Sequence, residues 1–348
     1  MPSGSPKIDR ARARGALIGL AVGDALGTTL EFSTAPAPPF PVLATGPHRE
    51  MVGGGPFGVA PGQVTDDTQM AVCLATSLLA MGGFDAEDVA ARYVEWGRVA
   101  FDAGTQTREA LAQLERGTPP LEAGRAVWLA ATGRPPAANG SLMRTAPIGV
   151  RFARDPRARM AASLRDSAIT HFDPRCQFAC VALNAAIAAA LTQRPTEPLA
   201  LFEQAIAELI RATAPFARTR SVSAHVRRAA VDAILEDMNL ALEPDPRLYD
   251  SEVHLLETQG FVRVALRLAF WELFQAPSFE AALVDVVNRG GDADTNAAVT
   301  GALLGAFWGE EAIPERWRTA VLGALEGQDG PFADTYHPRR LLALAEVA

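Results

Sequence analysis

Four glycines at a constant spacing of four, Gly15, Gly19, Gly23 and Gly27, run through an otherwise apolar stretch near the start of the chain. A spacing of four puts them on one face of a helix. Each glycine inside a helix costs about 1 kcal/mol relative to alanine, so four on one face require something that approaches that face closely. A second small-residue stripe, Ala297, Gly301 and Gly305, lies in the apolar run Asn296 to Trp308. The two helices are expected to cross backbone to backbone in the core. That crossing would bring Glu31, just past the first helix, towards the turn that precedes the second.

That turn reads Asn288-Arg289-Gly290-Gly291-Asp292-Ala293-Asp294-Thr295. Two glycines supply a turn that tolerates positive φ, and two carboxylates and a hydroxyl follow within four residues. The chain repeats the arrangement at Pro61-Gly62-Gln63-Val64-Thr65-Asp66-Asp67-Thr68, again ahead of an apolar helix. Either cluster alone reads equally well as an N-cap with a second acid favoured by the helix N-terminus. Two clusters of hard oxygen ligands suit a pair of divalent cations about 3.5–4 Å apart. Asn139-Gly140-Ser141 opens another turn before a helix, with several backbone N–H groups in one place, an arrangement suited to a phosphate or diphosphate. Arg144, one turn on, would add charge there. His171 and Asp173 read as a capping network, and Asp102 as a turn residue.

Alanine is abundant, aromatic residues make up 7% of the 348, and no period-two alternation is convincing. These features predict an all-α fold. Helices are expected at about 9–26, 67–81, 85–100, 107–115, 121–131, 156–170, 174–192, 196–212, 218–237, 259–275, 279–288, 296–308, 313–325 and 338–346. Residues 1–8 are expected to be disordered and 9–348 to form one domain. The Pro/Gly-rich stretch 33–62 is a long loop, of the length usual for lids and binding loops. The net charge of −8 argues against a general nucleic-acid binder. Cys73, Cys176 and Cys180 fit a reducing compartment without disulfides, and nowhere do 18 apolar residues run consecutively. A cytoplasmic protein with no membrane association is expected, of unknown oligomeric state.

Together these motifs resemble the ADP-ribosylglycohydrolases. The resemblance rests on Gly19-Leu20-Ala21-Val22-Gly23-Asp24-Ala25-Leu26-Gly27 with Glu31, Thr65-Asp66-Asp67-Thr68, Asn139-Gly140-Ser141-Leu142-Met143-Arg144, Thr170-His171 with Asp173, and Gly290 to Thr295. Their order agrees from about Arg10 to Trp317. The resemblance implies a compact all-α domain and a dinuclear Mg²⁺ or Mn²⁺ centre, acting on an ADP-ribosylated protein or an ADP-ribose derivative. Thr65, Asp66, Asp67, Asp292, Asp294 and Thr295 would hold the metals, with Glu31 beside them as ligand or general base. Asp102 would position the distal ribose. Asn139, Gly140 and Ser141 would wrap the diphosphate, with Met143 and His171 also at the ADP-ribose. Phe261, after Gly260, would lie under the adenine. After Gly-aromatic-Val many members have an Asp-Thr pair, where this chain reads Arg263-Val264-Ala265, a departure that bears on the nearby pocket.

Two other chemistries fit less well. Asp292-Ala293-Asp294-Thr295 resembles the motif of an aspartyl-phosphate phosphatase but lacks its preceding hydrophobic strand and later lysine. An EF-hand loop from Asp292 would need glutamate where Leu303 stands. The remaining alternative to an enzyme is a non-catalytic ADP-ribose-binding relative, a sensor or immunity protein.

Overall fold

The computed structural model describes residues 8–33, 40–41, 46–133, 136–218 and 222–347. Fifteen α-helices are present among them. The first eight are α1 (Arg10–Gly27), α2 (Asp66–Ala80), α3 (Ala86–Gly97), α4 (Thr105–Glu115), α5 (Pro120–Ala130), α6 (Ala146–Arg151), α7 (Pro156–Thr170) and α8 (Pro174–Gln193). The chain continues through α9 (Leu199–Arg218), α10 (Ala224–Leu240), α11 (Val262–Gln275), α12 (Phe279–Asn288), α13 (Ala293–Trp308), α14 (Glu315–Gly323) and α15 (Leu342–Val347). The described residues contain isolated β-bridges but no named strand.

Several boundaries follow from local chemistry. Asp155-Pro156 and Asp173-Pro174 each place a capping carboxylate before a proline at the first helical position, and α7 and α8 start as expected. Helix α13 starts at Ala293, three residues before its expected start, so Asp294 and Thr295 lie within its first turn. Helix α9 runs on through Pro215 to Arg218. The helix expected after the Asn139–Ser141 turn is the short α6, which starts at Ala146; six residues are too few to show a helical period, so the sequence does not set its bounds. The expected disorder of 1–8 falls, for residues 1–7, outside the described residues; Ile8 is buried in the core. Residues 34–39 and 42–45 of the expected 33–62 loop also lie outside them.

The two small-residue stripes meet. A Cβ placed on Gly19 would stand 2.1 Å from the Gly301 carbonyl oxygen, and one on Gly301 would stand 2.0 Å from that of Gly19. Gly15 faces Gly305 and Gly23 faces Ala297 at similar distances, and Gly27 abuts the Asp294 backbone. Only glycine permits this approach along α1, so the seam fixes the end of α1 against the start of α13. Helix α8 passes through the core beside them. It is long and apolar enough to cross a membrane, but 89% of that window is buried within the protein. The whole is a single compact domain with one hydrophobic core.

Candidate active site

At the open end of the seam, three chain segments deliver acids to one place. The amide of Phe32 donates to the Gly291 carbonyl (2.7 Å) and that of Gly291 to the Ser33 carbonyl (3.0 Å). These bonds tie the Glu31 segment to the turn before α13. Gly290 and Gly291 both have positive φ, 72° and 69°, as the paired glycines require. Helix α2 supplies Asp66 and Asp67 from its first turn.

Neither acid cluster is a simple cap. The Asp292 side chain makes no capping bond to α13; its Oδ2 accepts from Asn139 Nδ2 (2.9 Å). Thr65 does not cap α2 with its side chain; its hydroxyl donates to Asp24 Oδ1 (2.9 Å). Carboxylate oxygens of Asp24, Asp67 and Asp294 lie within 4.8 Å of one another, as do those of Glu31, Asp102 and Asp294. Asp294 belongs to both groups, so the two adjoin.

The electrostatics are those of an unneutralised cluster. Burial, then the charge of Asp102, pushes Asp66 well above the ordinary carboxylate range. Burial with Asp24 does the same to Asp67, and burial with Asp67 does so to Asp294. Glu31 is pushed up to about 9 by burial, then by Asp102 and Asp292. Asp102 rises to about 6, through burial offset by a hydrogen bond with Asp66. Glu31 Oε2 and Asp67 Oδ1 are buried with no hydrogen-bond partner. Buried oxygens without donors, next to like charges, are what a hard cation satisfies. The residues therefore fit a divalent metal centre.

From the acids a cleft of about 440 Å³ extends past Gly140, Met143 and His171 to Gly260. Arg108 is the one arginine or lysine among its lining residues. His171 is buried and its pKa is lowered well below the ordinary value by burial and then by Arg144, so the imidazole is neutral. A second cavity of about 450 Å³, lined by Phe261, shares Thr105, Gln106, Ala138, Gln259 and Gly260 with the first. Arg175 stacks on the Phe261 ring, 5.4 Å from its centroid.

A profile of the ADP-ribosylglycohydrolase family matches residues 5–346. The chain belongs to that family. It is 33% identical over 319 residues to an ADP-ribosylarginine hydrolase, Tri1, of Serratia proteamaculans, covering 88% of this chain and 74% of that one. It is 30% identical over 308 residues to the ADP-ribosyl-[dinitrogen reductase] glycohydrolase of Rhodospirillum rubrum, covering 88% of each. A solved ADP-ribosylglycohydrolase-related protein complex superposes with a TM-score of 0.67 at 32% identity, covering 97% of this chain and 98% of that one.

Within this ADP-ribosylglycohydrolase fold the expected residues separate into two groups. Glu31, Asp66, Asp102, Asn139, Gly140, Met143, His171, Gly260, Asp292, Asp294 and Thr295 all line the main cleft. Thr65 and Asp67 are buried behind them, and Thr295 Oγ1 reaches Asp67 Oδ2 at 3.4 Å. The diphosphate loop differs from expectation in its side chains. Asn139 is committed to Asp292, and the Ser141 hydroxyl is buried against Ser167 Oγ (2.9 Å). The loop therefore offers backbone rather than side chains. Arg144 does not project into the cleft: it is fully buried against Asp166 and Tyr93. Arg263, at the departure from the family pattern, turns to Asp237 (2.7 Å) and is absent from the cleft lining.

Two residues that position the site were not singled out from the sequence. Asp24 is fully buried and accepts from the amides and hydroxyls of both Thr65 and Thr68, at 2.6–3.1 Å. It thereby fixes the first turn of α2 and the direction of Asp66 and Asp67. Its signal was an acid inside an apolar, glycine-striped helix. Gln106 accepts from the Ala138 amide (3.2 Å) and donates to the Thr170 carbonyl (3.4 Å), joining α4 to both ligand-facing loops. A glutamine within an ordinary polar helix carries no such signal.

Proposed function

We propose that this protein removes ADP-ribose from arginine side chains by hydrolysing the bond between the ribose C1 and the guanidino nitrogen. The observation that carries the reading is the cluster of buried, unneutralised carboxyls at one end of a cleft whose middle is a backbone-lined turn. An acidic end wall suits a cationic guanidinium, and two relatives of about one-third identity are named for arginine-linked or dinitrogen-reductase-linked ADP-ribose.

Thr65, Asp66, Asp67, Asp292, Asp294 and Thr295 would hold two divalent cations, Mg²⁺ or Mn²⁺. Bound there, such ions would offset part of the carboxylate charge, help to orient the ribose and make a nearby water more acidic. Gly140 and its neighbouring amides receive the diphosphate, and Phe261 supports the adenine in the adjoining cavity. Asp102 positions the distal ribose. These remote contacts supply binding energy that orients the reacting sugar. Glu31 Oε2, the oxygen without a protein partner, accepts a proton as the water oxygen bonds to C1. The C1–N bond breaks through an oxocarbenium-like state, and the proton passes from Glu31 to the departing guanidine.

Glu31→Gln keeps the shape and removes the proton acceptor. Turnover of an ADP-ribosyl-arginine peptide is expected to fall by about 10²-fold or more, while ADP-ribose affinity changes little, because only an interaction made in the transition state is lost. An unchanged rate in the folded, metal-loaded variant would end the general-base assignment. Wild-type protein that binds ADP-ribose without turning over any ADP-ribosylated substrate would be a binder instead.

A further inference from the structure

The turn at 139–144 carries a buried cation that the mechanism above does not use. Within it the amides of Leu142 and Met143 both donate to the Asn139 carbonyl, at 2.7 and 3.1 Å. The first two amides of such a turn, those of Gly140 and Ser141, have no acceptor inside it. Neither meets a partner among the described residues. The Gly140 carbonyl points into the core and accepts from Arg144 Nη1 (3.1 Å). A peptide unit is planar and trans, so its C=O and N–H point in opposite directions. Drawing the Gly140 oxygen inward therefore turns the Ser141 N–H outward, to the side where Gly140 lines the cleft.

The rest of Arg144 is fixed as tightly. Its Nη2 donates to the Asp166 carbonyl (3.1 Å) and its Nε to Asp166 Oδ2 (3.3 Å). Its guanidinium lies 4.5 Å from the centroid of the Tyr93 ring, and the Tyr93 hydroxyl donates to Asp166 Oδ1 (2.8 Å). On the other side of the turn, a Cβ on Gly140 would stand 2.8 Å from His171 Cε1 and 2.9 Å from its Nε2. His171 is 1% exposed and lines the cleft, with Nδ1 bonded to Thr170 Oγ1 (2.8 Å) and no hydrogen-bond partner for Nε2 among the described residues.

We infer that Arg144 is a positioning residue for the diphosphate: by holding the Gly140 carbonyl in the core it keeps the Ser141 amide aimed at the ligand. The inference rests on the ADP-ribose reading above. Tyr93, Asp166 and Arg144 form a relay of fixed side chains from α3 and α7 to one peptide plane. The positive charge matters less than the direction it imposes.

Calorimetry with ADP and with adenosine, beside Mn²⁺ titration and melting curves, tests this. Arg144→Met is expected to weaken ADP by about tenfold or more, the size of one lost charge-assisted bond, with adenosine binding and Mn²⁺ stoichiometry at wild-type values. Arg144→Lys retains charge, but one ammonium cannot reproduce the fork to Asp166 and Gly140, so most of the loss is expected to remain. Unchanged ADP affinity in folded Arg144→Met, equal losses for adenosine, or full recovery in Arg144→Lys would each overturn the inference. If Arg144→Met does not fold, Tyr93→Phe decides: it keeps the ring and removes the hydroxyl bond to Asp166 Oδ1, and undiminished ADP affinity overturns the proposal. Wild-type protein that fails to bind ADP, or whose ADP binding survives Gly140→Val, would refute the underlying ADP-ribose reading as well.

Discussion

Buried carboxylates occur in two kinds of surroundings in this protein. On α10, Asp237 lies between two arginines of α11, Arg263 Nε at 2.7 Å and Arg267 Nε at 2.9 Å. Asp285 pairs with Arg289 (2.6 Å), and Glu208 pairs with Arg159. At one end of the cleft, Asp67 and Asp294 are buried about as deeply and Asp66 and Glu31 nearly so, and these acids face one another instead. At these three positions the chain neutralises its buried acids with guanidinium groups. At the cleft it withholds them, and the charge is left for something outside the chain to balance.

The largest test of this contrast is Asp237→Asn. It leaves two buried arginines short of their counter-ion and is expected to cost about 3–5 kcal/mol of unfolding free energy, read from urea denaturation. A loss under about 1 kcal/mol would mean that the arginine pairs contribute little.

The cleft acids are expected to respond with the opposite sign. Asp66→Asn should leave the metal-free protein as stable as wild type or more so, while weakening Mn²⁺ binding, since a neutral amide replaces a hard anionic ligand. Wild type should also show a pH signature. Glu31, raised to about 9, and its neighbours hold protons in the folded state that the unfolded chain releases near pH 4. Metal-free stability therefore falls as pH rises from about 4 to about 9. Added Mg²⁺ or Mn²⁺ should raise the melting temperature more at pH 8 than at pH 5; an equal gain at both would contradict the shared-charge picture.

Glu272 sharpens the comparison from a third position. Neither of its carboxyl oxygens has a hydrogen-bond partner, and burial followed by the charge of Asp285 holds its pKa well above the ordinary value. It lines neither of the two cavities at the cleft. Glu272→Gln is expected to stabilise the protein by roughly 1 kcal/mol at pH 8 and to do little at about pH 3, where the glutamate is mostly protonated in both states. A loss of stability at pH 8 would show that the ionised form has a role after all.

The glycine seam and the two acid clusters were legible in the sequence because each is a periodic or repeated local pattern. Gly19 and Gly301 announce a close crossing by spacing alone, and that crossing carries Glu31 to Asp292. What was not legible is where polar side chains point. Asn139, Ser141 and Arg144 stand in one motif, yet they turn towards Asp292, Ser167 and Asp166 respectively. Those directions come from helices distant in sequence. Asp24 was hidden for the same reason: only α2, packed against it, reveals that its carboxylate organises Thr65 and Thr68.

The crossing of α1 with α13 also sets an order of events during synthesis. Gly19 leaves the ribosome first, and its partner Gly301 follows 282 residues later by their numbering. At about 5–20 residues per second that interval is roughly 15–55 s. Throughout it, the first helix has no partner for its glycine face, and Asp66 and Asp67 wait without Asp294. The acids come together only once nearly the whole chain exists, so a product terminated before Asp292 carries Asp66 and Asp67 but cannot assemble the centre.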